Sequence, residues 1–390
     1  MIMFNRRHES GAVSLFVVIF AMLLITIVTL GFLRIMVNDQ QQASDSDLSK
    51  SAYDSSLAGV EDAKRALIYY RTVCSTSSKS ACDAVAATIN SKVCNAGLAN
   101  VVAVTPNQEV GVQQSQSGND AQLNQAYTCV KMSLLTDDYL GTIQANTSKL
   151  IPLRSDRNFT SVTVEWYSDK DLTADSTQVN LLPDASLNQP LFLQSNWVAD
   201  RPSLMRTQLM QFGSNFTLGN FDAGSANITN SNASTLFLYP TGATGTPRSI
   251  TDEWSFTGED IRQVPTGSPQ PTRCSGDIRN GGYACSVKLL LPQAVGQSDN
   301  SRTAYLRLTP LYNSTHFRVT LGEGAKFSGV QPSIDSTGRA NDLYRRVESR
   351  VDLESVAFPY PEAAVDLTGN LCKDFLVTDT ADKSVNNCTP

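Results

Sequence analysis

An uncharged run near the N-terminus constrains this chain more than any other feature. The run extends over 22 residues from Ala12 to Leu33, follows a short polar segment and ends at Arg34. A helix rises by about 1.5 Å per residue, so 22 residues reach about 33 Å, which is enough to cross the ~30 Å hydrocarbon core of a bilayer. The sequence therefore predicts a membrane-spanning helix at residues 12–34.

The residues around this run predict its orientation. Arg6 and Arg7 lie just before it, and basic residues beside a span favour the cytoplasmic side. A secretory signal differs, because its apolar core covers about 7–15 residues and ends at a small-x-small cleavage site, which Gly31-Phe-Leu-Arg34 does not offer. We therefore expect a single-pass membrane protein with a cytoplasmic N-terminus and an extracytoplasmic remainder.

The cysteines indicate an oxidising compartment. The chain has eight of them and only two histidines, and no cysteine pair has the C-x-x-C spacing of a zinc or redox motif. We expect two bridges between neighbours in the sequence, Cys274–Cys285 and Cys372–Cys388. Two further bridges are expected among four cysteines whose three possible pairings the sequence leaves open: Cys74, Cys82, Cys94 and Cys129.

Charge and motifs argue against several function classes. The net charge is −6 and the chain has no long basic stretch, so we expect no nucleic-acid partner. No nucleophile elbow, zinc-protease motif or phosphate-binding loop is found, so we expect neither an enzyme nor a cofactor nor a bound metal. Asp169, Asp171 and Asp175 have the spacing of a calcium loop, but its Gly and closing Glu are missing, which favours a solvated turn.

The residues that follow the apolar run predict that its helix continues. Ala52, Ser55, Gly59, Ala63 and Ala66 recur at spacings of three and four, which is typical of one face of an amphipathic helix. We therefore expect a stalk helix at residues 35–72.

Beyond a short helix and loops at 73–98, the chain has the alternating pattern of strands. Val162, Val164 and Trp166 are one example among several, and Pro310 to Ser314 predicts the turn of a hairpin. The expected fold class is α+β: a long N-terminal membrane-spanning helix followed by a large, mainly antiparallel β ectodomain. Its length favours two β-rich lobes, residues 73–200 and 201–390, the second with a C-terminal disulfide loop.

The N-terminal pattern resembles a known superfamily. Gly11 is followed by the apolar run from Ala12, and the polar continuation Ser51-Ala-Tyr-Asp-Ser-Ser-Leu-Ala-Gly-Val-Glu-Asp-Ala-Lys-Arg-Ala66 has an Ala/Gly/Glu pattern. Residues 5–68 thereby resemble the type IV pilins and pseudopilins, most closely the PilX-like minor pilins.

This resemblance implies a mode of assembly. Residues 1–11 would be a prepilin-type leader, and a prepilin peptidase would cut between Gly11 and Ala12, leaving Ala12 as an N-terminus that is often methylated in the family. The pilus assembly machinery would then take the helix out of the membrane. In the filament the helix would pack beside other pilin subunits through its filament-core residues Phe16, Phe20 and Leu24. The terminal Cys372–Cys388 loop resembles the disulfide-closed loop of many pilins, which is often adhesive.

One difference from the superfamily's usual sequence bears on which kind of subunit we expect. Major pilins usually carry Glu at the fifth mature position, where this chain has Phe16. We therefore expect a minor or tip subunit of a type IV pilus or related secretion filament, displaying a large extracellular domain for assembly or for adhesion to a surface or host ligand. The alternative is an uncleaved, single-span membrane-anchored surface adhesin or envelope-associated protein.

Overall fold

A single helix of 66 residues, α1 (Gly11–Thr76), is the longest element of the computed structural model. Gly31 and Gly59 are the only glycines inside it, and it contains no proline, so nothing in the sequence interrupts the backbone hydrogen bonds. The segments predicted at 12–34 and 35–72 therefore form one rod of about 100 Å. The structure describes residues 11–112, 124–173, 178–182, 194–211, 233–242, 252–256, 269–278, 282–296 and 304–353.

A short helical region follows α1, as the sequence predicts. Helix α2 (Lys79–Ile89) begins after Ser78, whose hydroxyl oxygen accepts a hydrogen bond from the Ala81 N–H, and a 3₁₀ turn spans Ala96–Leu98. The four cysteines of this region pair as Cys74–Cys82 and Cys94–Cys129. The first bridge ties α2 to the end of α1, and the second ties the following loop to the sheet. The Cys274–Cys285 bridge is also present, whereas Cys372 and Cys388 lie outside the described residues.

The remaining described elements are two 3₁₀ turns, Asp169–Asp171 and Gln194–Asn196, and fourteen strands. The strands are β1 (Val110–Gly111), β2 (Ala126–Thr136), β3 (Asp138–Ile143), β4 (Lys149–Pro152), β5 (Phe159–Ser168), β6 (Leu204–Gln211), β7 (Ala233–Thr241), β8 (Glu253–Ser255), β9 (Gln270–Arg273), β10 (Tyr283–Val295), β11 (Ala304–Leu311), β12 (Thr315–Leu321), β13 (Phe327–Ala340) and β14 (Leu343–Arg350).

These strands form three sheets. The first, which we call the helix-facing sheet, has the order β1-β2-β13-β14 and is antiparallel throughout. The other two have the orders β3-β12-β5-β10-β8 and β4-β11-β6-β7-β9, with parallel pairing only between β8 and β10 and between β7 and β9. Both contribute to one apolar core, which contains Trp166 of β5, Leu209 of β6 and Leu306 of β11, so together they form a sandwich. The predicted α+β class is confirmed.

The sandwich is an insertion into the helix-facing sheet. The chain leaves that sheet at the end of β2, forms β3 to β12, and returns in β13, which pairs directly with β2. The predicted division near residue 200 does not coincide with a boundary between sheets, because β5 pairs with β10 and β12, and β4 pairs with β11.

The prediction that Pro310 to Ser314 forms the turn of a hairpin is wrong. Strand β11 pairs with β4 and β6 in one sheet of the sandwich, whereas β12 pairs with β3 and β5 in the other. The connection between them therefore carries the chain from one sheet to the other. Alternation of apolar and polar residues predicts that a strand forms and which face it buries, but it does not specify the partner strand.

Small residues bring α1 into close contact with the helix-facing sheet. Ala52 and Ser56 of the helix are fully buried, and the Ser336 hydroxyl of β13 donates a 2.8 Å hydrogen bond to the Ser56 carbonyl oxygen. A Cβ at Gly59 would overlap the Ser336 side chain, and a Cβ at Gly338 would overlap the helix backbone at Ala52 and Ser56. Glycine is therefore required at both positions by the distance between helix and strand.

Replacing Gly338 by alanine tests this close approach. We expect Gly338→Ala to lower the free energy of unfolding by about 3 kcal/mol, because the new methyl group meets backbone atoms that cannot rotate away. Urea unfolding of the detergent-solubilised chain, followed by circular dichroism, measures the change. Gly111→Ala is the matched control: a Cβ there has no atom within 4 Å, so its effect should stay within about 0.5 kcal/mol. Equal stabilities of the two variants would contradict the packing described.

The Cys94–Cys129 bridge, which spans 35 residues, should contribute more stability than Cys74–Cys82, which spans 8. In the chain-entropy model the expected losses are about 3.8 and about 2.5 kcal/mol for the corresponding double Cys→Ser variants. Thermal unfolding of the two variants under identical conditions gives the comparison. A larger loss for the Cys74→Ser/Cys82→Ser variant would reverse this ranking.

Candidate assembly helix and distal display domain

The N-terminal half of α1 has no tertiary contacts in the described structure. From Leu15 to Val37 its large apolar side chains are between 48% and 78% exposed. By length and composition, α1 contains a segment able to cross a membrane. This apolar helix and the three disulfides together indicate a membrane-anchored protein whose folded part lies outside the cytoplasm.

The predicted filament-core residues share one face of this helix. Phe16, Phe20 and Leu24 follow each other at spacings of four, and they line a shallow apolar groove together with neighbouring side chains of the same helix. Their exposed fractions are 78%, 69% and 53%. This face can therefore pack against lipid chains or against another apolar helix.

The two threonines inside the apolar segment are satisfied locally. The Thr26 hydroxyl donates to the Met22 carbonyl oxygen at 3.0 Å, and the Thr29 hydroxyl donates to that of Ile25 at 2.7 Å. Neither threonine therefore needs water or an external partner. At the predicted processing bond, α1 begins at Gly11, while the preceding leader and the side chain of Ala12 lie outside the described part of the structure.

The C-terminal half of α1 is docked on the helix-facing sheet. Four residues of its buried face and five residues of the sheet form a second core. The helix residues are Val60, Ala63, Ala66 and Leu67, and the sheet residues are Tyr127, Val130, Met132, Leu134 and Ile334. At its rim the Tyr127 hydroxyl donates a 2.8 Å hydrogen bond to Asp62. Burial and this carboxylate raise the pKa of Tyr127, so the hydroxyl keeps its proton at neutral pH.

The direction of β13 along α1 determines where the sandwich lies. Gly338, near the end of β13, lies against Ala52, whereas a Cβ at Gly329, near its beginning, would be 3.8 Å from the hydroxyl of Tyr70. The sandwich joins β13 at this beginning. Tyr70 is about 54 Å along the helix from Arg34, where the apolar run ends. The sandwich is therefore attached at the end of α1 that is remote from the apolar half.

A polar junction connects the three sheets. The Asp352 carboxylate, in the chain after β14, accepts hydrogen bonds from Lys149 of β4 at 2.5 Å and from Gln331 of β13 at 2.9 Å. The Tyr139 hydroxyl of β3 also bonds to it. The Gln331 side-chain amide further donates to the Leu140 carbonyl oxygen and accepts from the Leu140 N–H. These bonds fix the sandwich to the helix-facing sheet.

No local pattern in the sequence identifies this junction. Asp352 continues the alternation of β14 and therefore had the pattern of a solvent-facing strand residue. Its main partner, Lys149, is 203 positions away in the sequence. The one local signal is that the charged Asp352 stands directly before Leu353, an apolar residue that is buried in the fold.

Asp171, one of the three aspartates with calcium-loop spacing, holds a turn in place. Asp169 and Asp171 lie in a 3₁₀ turn, where the Asp171 carboxylate accepts from the Ser168 N–H at 2.8 Å and contacts the His316 ring nitrogen Nδ1 at 2.7 Å. Asp175 lies outside the described residues. Within the described ranges, no group of three or more His, Cys, Asp or Glu side chains is placed to hold a metal ion.

No protein-family model, curated protein or solved structure matches this chain. Its function is therefore inferred from its own sequence and geometry.

The Asp352 junction predicts a dependence of stability on pH. Burial alone would raise the pKa of Asp352, but its hydrogen bonds with Lys149, Gln331 and Tyr139 outweigh burial and lower it. A folded-state pKa below the unfolded value of about 3.9 adds stability above that value, and this contribution disappears as the pH falls through the folded-state pKa.

We therefore expect Asp352→Asn to destabilise the chain at pH 7, with the difference from the unmodified protein shrinking as the medium becomes acidic. Because the Asp352 side chain is 37% exposed, solvent screening should limit the loss to about 1 kcal/mol. Urea unfolding at pH 7 and near pH 3 measures it. Asp137→Asn is the control, since that carboxylate is 80% exposed in its pair with Lys326. A difference that grew on acidification would refute the assignment.

Proposed function

We propose that this chain is a minor or tip pilin-like subunit of a type IV pilus or a related secretion filament. The observation that supports the proposal is the division of α1 into two halves: an apolar half that contacts nothing else in the described structure, and a half docked on an antiparallel sheet. The division matches a subunit that polymerises through one part of its helix and carries a folded head on the other.

The apolar half suits two successive environments. A helix that is apolar on all sides is solvated by lipid chains or by other apolar helices, so its transfer between them requires little free energy. The partners proposed are therefore the membrane before assembly and other pilin subunits afterwards. A prepilin peptidase and the pilus assembly machinery would act on the chain between these stages.

Phe16 favours a minor or tip position. Its exposed ring offers packing but no carboxylate. In the superfamily that the N-terminus resembles, a Glu at this position pairs with the terminal amine of a neighbouring subunit. A buried pair of this kind contributes specificity of register more than stability. A subunit at the filament tip has no subunit ahead of it, so there is no neighbouring terminal amine with which a Glu at this position could pair.

The sandwich would be the displayed domain. It is attached at the end of α1 remote from the apolar half, and its own apolar core includes Phe159 and Val164. This position leaves the sandwich accessible while the apolar half is enclosed by lipid or by other helices. Adhesion to a surface or host ligand, or adjustment of assembly, would then take place on the sandwich.

The alternative proposal is an uncleaved, membrane-anchored surface adhesin or envelope-associated protein. The same exposed apolar helix supports it, because one span is sufficient for permanent anchoring. The two proposals differ in the chemical state of the N-terminus and in association with fibres.

The mature N-terminus distinguishes these proposals. We expect intact-mass and peptide mass spectrometry of the native protein to find a chain beginning at Ala12, and fibres sheared from the cells to contain it. Gly11→Val should retain Met1 and be missing from the fibres, because the bulky side chain blocks cleavage. Gly31→Ala is the control, since its Cβ would have no atom within 4 Å. A native chain that begins at Met1 and never co-purifies with fibres would instead support permanent anchoring.

A further inference from the structure

Two disulfides shorten the covalent connection between α1 and the sandwich. The chain runs from α1 through α2 and β2 and then enters the sandwich at β3. Cys74 of α1 and Cys129 of β2 are 55 positions apart in the sequence, and the bridges within this span bypass 8 and 35 of these positions. The 12 positions from Cys82 to Cys94 remain, and we call this segment the short tether.

Strand β13 runs alongside α1. Gly338 lies against Ala52, and a Cβ at Gly329 would be 3.8 Å from the hydroxyl of Tyr70. The two glycines are 9 positions apart, about 30 Å along a strand, and the two helix residues are 18 positions apart, about 27 Å along a helix. The similar lengths indicate that the helix and the strand are nearly aligned. A force along α1 therefore also acts along β13 and shears the contact between them.

Both connections to the sandwich leave the helix-facing sheet at the same end. Strand β2 ends at Thr136, β13 begins at Phe327, and these two residues pair. This end is remote from the apolar half of α1, which lipid or other helices would hold in either proposal. A pull on the sandwich away from that half therefore slides the sheet along the helix.

Non-covalent contacts resist this sliding first. The Ser336 hydroxyl donates to the Ser56 carbonyl oxygen, and apolar side chains pack around it. The Tyr127 hydroxyl donates to Asp62 at the rim. Hydrogen bonds and close packing act over only a few ångströms, so a displacement by one helical turn removes these contacts. From then on, the covalent route through the short tether carries the load.

Asn95 fixes the β2 end of the short tether. Its side chain is fully buried, and its Oδ1 atom accepts a 2.7 Å hydrogen bond from the Val130 N–H. Its Nδ2 atom donates to the Thr128 carbonyl oxygen at 3.3 Å, and its own N–H donates to that of Val130 at 2.9 Å. Because Asn95 follows Cys94 and these β2 residues flank Cys129, the hydrogen bonds surround the bridge on both sides. The loop and β2 are therefore held together at the point where the load would pass between them.

We propose that the two bridges make the short tether a mechanical restraint. It limits how far a load can pull the sandwich from α1, and it keeps the sheet close enough to dock again when the load ends. A fully extended chain reaches about 3.5 Å per residue, so 12 positions reach at most about 42 Å, whereas all 55 would reach about 190 Å. The shorter connection also lowers the entropic cost of docking.

This inference rests on the proposed function only for the origin of the load. A filament subunit and an anchored adhesin would both hold α1 at its apolar half and display the sandwich, so both would load the same connection. The restraint is tested on the isolated protein, without cells or fibres. Its failure would therefore leave the assignment of the mature N-terminus untouched, and the converse also holds.

Pulling single molecules with optical tweezers tests the proposal. Gln41 of α1 and Ser286 of β10 are both exposed, so an azide-bearing amino acid at each position can carry a DNA handle on the detergent-solubilised full chain. The measured quantity is the contour length gained when α1 separates from the helix-facing sheet. Gly338→Ala identifies this event, because it weakens the contact and should lower the separation force without changing the gain.

The bridges should determine the size of this gain. We expect Cys94→Ser/Cys129→Ser to increase it by about 120 Å and Cys74→Ser/Cys82→Ser to increase it by about 28 Å, because 35 and 8 positions are then no longer bypassed. When the force is removed, docking should be about eightfold slower in Cys94→Ser/Cys129→Ser, since the connection that must close lengthens from 12 to 47 positions.

The third disulfide provides the matched control. The Cys274–Cys285 bridge is buried in the sandwich and does not lie on the route between Cys74 and β2. Cys274→Ser/Cys285→Ser should therefore leave both the gain at helix–sheet separation and the docking rate unchanged, although it removes one bridge as the other variants do.

Reduction of the unmodified chain repeats the comparison without relying on a less stable variant. After α1 and the sheet have separated under load, a phosphine reductant should produce two further contour-length gains, of about 120 Å and about 28 Å. Equal gains with and without the Cys94–Cys129 bridge, by substitution and by reduction, would overturn the proposal. It would also be overturned if the sandwich unfolded at forces that leave α1 docked, because the short tether would then never be loaded.

Discussion

The close approach of α1 to β13 is the contact on which the rest of the structure depends. Ala52, Ser56 and Gly59 present almost no side-chain volume toward the strand, and Gly338 allows the helix backbone to lie directly on it. Larger residues would hold the helix further away, and both the Ser336 hydrogen bond and the dense packing beneath it would be lost. The register of helix against strand is therefore fixed by a few small side chains.

This register separates two parts of the molecule. Because β13 begins beside Tyr70 and ends beside Ala52, an insertion between β2 and β13 emerges at the helix end remote from the apolar half. The sandwich is a large addition to a small helix-and-sheet unit, yet it leaves the apolar half of α1 uncovered. The three-sheet junction at Asp352 then connects the sandwich to that unit through several long-range polar contacts.

Local patterns in the sequence predicted the elements well, and long-range partners poorly. The continuous helix follows from the absence of proline and from the spacing of small residues, and the strands follow from alternation. The partners of β11 and β12, the pairing of Cys94 with Cys129, and the contact of Asp352 with Lys149 depend on how distant segments meet. Local periodicity does not encode contacts between distant segments, so these features could be identified only from the folded structure.

The polar stretch between the two halves of α1 owes its helical form to both of them. From Asn38 to Asp47 its side chains are exposed, and an isolated helix of this length is marginal in water. Here the unfavourable nucleation step is already provided by the apolar helix on one side and by the docked helix on the other. The stretch is therefore a rigid spacer only while both flanking halves stay helical, because its exposed side chains give it no tertiary contacts of its own.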